Sequence, residues 1–118
     1  LWNEEGYLVD THTAVAYKVY RDYAEETGDE TPAVIASTAS AYKFAESVAD
    51  ACGLDVGKVK VLANSAAEPT GFDYVKALEK ATGMRVPSGL RDLEDNPVLH
   101  DRVCAKDEMS EVVMEVLE

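Results

Sequence analysis

Apolar and polar positions recur along this chain with two different periods, and the changes of period mark its predicted elements. From Thr13 onward, Ala16, Val19, Tyr20, Tyr23 and Ala24 fall at the spacing of one helix face. Lys18, Arg21, Asp22, Glu25 and Glu26 populate the remaining faces. Thr11 or Thr13 is the expected N-cap, and Gly28 suits the left-handed position after the last turn. A second helix is predicted over residues 42–52, with Phe44, Val48, Ala51 and Cys52 inward and Gly53 as its stop. Thr70 and Asp73 have the spacing of a capping box, which opens a third helix over residues 72–82. Phe72, Val75, Leu78 and Ala81 lie near one face of it, and Gly83 ends it. A last helix is predicted over residues 107–117, with Met109, Val112, Val113, Val116 and Leu117 as its buried stripe.

Between these helices the pattern shortens. Residues 6–10 read as a short buried strand or an approach to the first helix. Residues 33–36 are a continuous apolar run, Ala-Val-Ile-Ala, whose shortness and β-branching favour a buried parallel strand. In residues 54–67, Val56 and the alternating Val59, Val61 and Ala63 permit another strand, although Gly57 weakens it. Residues 86–96, with Pro87, Gly89 and the following Pro97, read as irregular. The predicted fold class is therefore α/β, a small parallel sheet with flanking helices in a single domain. In such folds ligands bind at the carboxyl ends of strands, where the turns at residues 10–13 and 37–40 would sit.

Composition narrows the function classes. A chain of 118 residues holds one core, and 47% hydrophobic residues spread along it argue against disorder. The net charge of −12 repels nucleic acid phosphates and anionic lipids, so neither is an expected partner. An anionic ligand must then be met by local groups. Cys52 and Cys104 form no CxxC pair and no disulfide framework, which favours two free thiols in a reducing cytoplasm. No signal peptide and no apolar run of membrane-spanning length is present. The sequence opens at Leu1 without a methionine and enters ordered-looking sequence at once, the expectation being an excised or truncated segment.

Candidate chemistry concentrates at the two turns. Ser37, Thr38 and Ser40 place three hydroxyls within four residues. A hydroxyl both donates and accepts without charge, so it can meet a heteroaromatic nitrogen, while Ser40 could equally cap the next helix. Asp10 and His12 flank Thr11. A carboxylate there can orient the imidazole and fix its tautomer, or both side chains can simply cap the helix. Lys43 stands in the first turn of the second helix, where a cation opposes the helix dipole, which points to an anionic partner or to a solvated lysine. His100 and Cys104 are four apart, but no second ligand pair accompanies them, so a metal site is not expected. Asp92, Glu94, Asp95, Asp101, Asp107 and Glu108 have no EF-hand arrangement. Phosphate-binding glycine loops such as GxGxxG and GxxxxGK[ST] are absent, as is a GxSxG nucleophile motif.

The segment GYLVDTHTAVA at residues 6–16 resembles the D-x-H-T-A-V segment of threonine synthases, and STASAYKF at residues 37–44 resembles their S-T-A-x-P-x-K-F segment. Order and separation match as well. Residues 81–84 and 87–93 are similar to the tail of the same enzymes, so the resemblance spans nearly the whole chain. Ala41 and Ala45 depart from it where the family often has proline.

The resemblance implies the C-terminal region of an enzyme of the tryptophan synthase β-like fold type, dependent on pyridoxal 5'-phosphate. That enzyme converts O-phospho-L-homoserine and water to L-threonine and phosphate. By the match, Thr38 is the hydroxyl that faces the pyridine nitrogen of the cofactor, with Ser37 second. Asp10, His12 and Thr13 map beside the active-site cleft, and Lys43 matches the family lysine. The Schiff-base lysine and the phosphate loop would lie in other parts of the enzyme, so this segment alone is expected to be inactive and free of cofactor. Surfaces facing those parts would be apolar, which makes self-association an expectation. The alternative is a stand-alone, non-catalytic binding, regulatory or protein-interaction domain.

Overall fold

Asp10, Ser40, Asp55 and Thr70 each precede a helix and turn a side-chain oxygen onto its first free N–H groups. Four orphan donors at every helix start make such residues good initiators. At Thr70 the arrangement is reciprocal: the hydroxyl accepts from the Asp73 amide at 3.3 Å, and the Asp73 carboxylate accepts from the Thr70 amide at 2.8 Å. Gly28 and Gly83 end their helices in the left-handed conformation, with φ of 69° and 70°.

The computed structural model describes residues 1–117. Its elements are α1 (Trp2–Glu5), α2 (Thr11–Thr27), a 3₁₀ turn at Ala41–Phe44, α3 (Ala45–Ala51), α4 (Val56–Ala63), α5 (Gly71–Thr82), α6 (Ser88–Arg91), a 3₁₀ turn at Leu93–Asp95 and α7 (Met109–Leu117). The core lies where α5 packs against α3 and α4. Ala49 and Ala77 are fully buried, and their small side chains let the helix backbones approach. Leu78 and Val59 fill the remaining space, with Tyr42, Val48, Tyr74 and Val86 around them. The Tyr42 hydroxyl donates to the Met84 carbonyl and ties the start of α3 to the end of α5.

The expected α/β class is overturned: among the described residues there is no strand, and no parallel sheet forms. Residues 33–36 are outside any helix, no backbone hydrogen bond joins them to another segment, and Val34 is 100% exposed. A strand requires a neighbour, and the other candidates for one have gone elsewhere. Residues 56–63 form α4 rather than a strand, because Asp55 caps them and Val59 with Leu62 gives a helical i, i+3 pair against the core. Val61, inward in the alternating reading, is 79% exposed. Residues 6–10 are the approach to α2, and the residue that caps it is Asp10, not Thr11 or Thr13.

Two predicted apolar faces find no partner. On α2 only Thr13 is buried; of the predicted face, Val19 and Tyr23 are more than half exposed and Tyr20 and Ala24 half-buried. On α7 no residue is buried, so its expected buried stripe is a solvent-facing one. Ala51 and Ala81, placed inward by periodicity, are exposed as well. The radius of gyration is 18.7 Å, against about 13.5 Å for a compact domain of this length.

Candidate functional site

The first turn of α2 gathers its side chains around one carboxylate. Asp10 is fully buried and caps α2, with Oδ1 accepting from the His12 amide at 2.9 Å. The same oxygen lies 3.1 Å from His12 Nδ1, and Oδ2 accepts a hydrogen bond from the Thr13 hydroxyl. These partners, the Thr13 hydroxyl foremost, hold the Asp10 carboxyl below its ordinary pKa, although burial acts the other way. A carboxylate only accepts, so Nδ1 of His12 carries the proton in this contact. Capping and imidazole orientation, alternatives on the sequence, are thus both performed by Asp10.

The second predicted turn meets the first through Thr13. Its Oγ1 lies 3.2 Å from Ser37 Oγ, a contact spanning 24 residues of sequence. The rings of His12 and Phe44 stand 5.0 Å apart at a tilt of 59°. Phe44, expected inward on the second helix and the last residue of the STASAYKF segment, has a further contact here. It is half-buried and also packs on the imidazole, and the signal that could have found it is the KF pair of the family-like segment after the hydroxyl turn. Thr13 and Ser37 both line a cavity of about 370 Å³ whose walls include Tyr7, Tyr17 and Ile35.

The other site candidates lie apart from this cluster. Thr38 is exposed and makes no hydrogen bond within the described residues. Ser40 caps the 3₁₀ turn, accepting from the Tyr42 amide at 3.3 Å. Lys43 is exposed on that turn and lines a separate open groove of about 710 Å³, between the start of α3 and the N-terminal end of α5. The two cavities share no lining residue. No group of three or more His, Cys, Asp or Glu residues suited to a metal gathers among the described residues, and no helix there is long and apolar enough to cross a membrane.

The residues present fit one edge of pyridoxal phosphate and no more. Neutral hydroxyls at Ser37 and Thr38 suit a ring nitrogen. An aldehyde-capturing lysine has to be desolvated, and no lysine among the described residues is buried. Lys76 is pushed above its ordinary pKa by its bond to Glu94, the wrong direction for a nucleophile. The left-handed glycines Gly6, Gly28, Gly53 and Gly83 all follow helix ends, so none cradles a phosphate at a helix start.

No curated protein and no solved structure matches the chain. Residues 13–114 match the family described as threonine synthase, C-terminal. That range includes both turns' shared contact, the core helices and most of α7. The chain belongs to the threonine synthase C-terminal family.

Proposed function

We propose that this chain forms one wall of the active-site cleft of a threonine synthase, the enzyme that converts O-phospho-L-homoserine and water to L-threonine and phosphate. Pyridoxal phosphate, when bound, supplies the electron sink for that chemistry. Thr38 meets the ring nitrogen with its hydroxyl. Ser37 is the second hydroxyl at the same edge. Asp10, His12 and Thr13 line the cleft next to it, and Lys43 offers its charge to an anionic group of the substrate. The chain by itself is inactive, because its described residues offer neither a desolvated lysine nor a phosphate cradle. With two unpaired cysteines it belongs in a reducing cytoplasm.

The observation that carries the reading is the contact between the two family-like segments at Thr13 and Ser37, inside a chain matched over residues 13–114. It makes one continuous surface of residues 24 positions apart.

The test is made in a threonine synthase that carries this segment. Thr38→Val removes the hydroxyl and nearly keeps the shape, so an unpaired buried ring nitrogen costs roughly 1–3 kcal/mol. Turnover or cofactor affinity should fall about tenfold or more, and Thr38→Ser should retain most of both. Wild-type turnover with an unchanged cofactor spectrum in Thr38→Val would refute the assignment.

A further inference from the structure

The Thr13 hydroxyl stands between two oxygens, one on Asp10 and one on Ser37. A hydroxyl has one proton and two lone pairs. The Asp10 carboxylate is buried, caps α2, accepts from two N–H groups and has no proton to give. The Thr13 proton therefore goes to Asp10. Thr13 Oγ1 is left with lone pairs only, in a residue that is 7% exposed. The proton in the 3.2 Å contact must then come from Ser37.

We infer that Asp10 is a positioning residue that acts through Thr13 to commit the Ser37 hydroxyl as a donor inward, so that toward the cavity Ser37 is a hydrogen-bond acceptor only. A ligand group that enters beside Ser37 has to bring an N–H or O–H of its own. Thr38 carries no such commitment and is the hydroxyl able to donate to an unprotonated heteroaromatic nitrogen. This ligand half rests on the proposed cofactor contact. The wiring from Asp10 to Ser37 does not.

Two measurements separate the halves. Proton NMR of the chain reads the wiring. The Thr13 hydroxyl proton should be shifted downfield and exchange slowly, with a cross-peak to the Ser37 hydroxyl proton. Thr13→Val should speed exchange of the Ser37 hydroxyl proton about tenfold or more, and Thr13→Ser should restore it, with amide dispersion showing that each variant is folded. An unchanged Ser37 hydroxyl signal in Thr13→Val overturns the wiring. The second measurement uses a threonine synthase carrying this segment, loaded with pyridoxal phosphate labelled with ¹⁵N in the ring. The ring-nitrogen resonance should move in Thr38→Val and stay in Ser37→Ala. The opposite pattern overturns the assignment of donor and acceptor. Movement in neither variant overturns the cofactor contact and with it the ligand half, while the hydroxyl signals of the chain still decide the wiring.

Discussion

At Asp10 a single carboxylate caps a helix and receives hydrogen bonds from both neighbouring side chains. Asp73 does similar work at α5, where the Thr70 amide lowers its pKa most. Both carboxyls titrate below their ordinary value of 3.8 in the folded chain. A depressed native pKa means that the folded state favours the charged form. The stability these groups add is complete above about pH 4 and is lost as pH falls through the depressed native values. Thermal unfolding followed from pH 7 downward should show a falling midpoint below about pH 4. The fall should be shallower in Asp73→Asn, and an equal slope in that variant would remove Asp73 from the account.

At the scale of elements, stability is concentrated in α3, α4 and α5. Thr70→Ala dissolves the capping box of α5 and should cost about 1 kcal/mol. That corresponds to a drop in midpoint of roughly 4 °C. Leu78→Ala empties a fully buried position and should cost about 2–5 kcal/mol. Val116→Ala on α7 should stay within about 0.5 kcal/mol, since that side chain is solvent-facing. Denaturant unfolding of the three variants orders these effects. A loss at Val116 comparable to that at Leu78 would mean that α7 is packed in solution.

The molecule as a whole is extended, measuring 57 × 39 × 24 Å, with apolar residues of α2 and α7 outside the core. Such faces favour association, and the net charge of −12 opposes it. Added salt screens the charge and leaves the apolar attraction. Sedimentation should therefore show weight-average mass rising with concentration, more steeply at high salt. In the dilute limit, X-ray scattering should give a radius of gyration near 18.7 Å. A value near 13.5 Å would show a compact rearrangement. Far-UV circular dichroism should read as helix near 58% with no sheet component.

Much of the local structure was determined by the sequence alone. The capping box at Thr70 and Asp73, the glycine stops at Gly28 and Gly83, and the periodicity of α2, α5 and α7 are short-range features, set within one or two turns. The site segments were legible for the same reason, as ordered runs of residue types. Burial was not legible. Apolar periodicity says which face could be covered, and only packing says whether anything covers it, as α2 and α7 show. The predicted sheet failed on the same ground, because the apolar run at residues 33–36 needed a strand beside it and residues 56–63 formed a helix instead. Tertiary structure alone decided that Thr13 meets Ser37 and that Asp10 is fully buried. Those contacts depend on how the segment after α2 returns to the helix start, and no local pattern encodes that path.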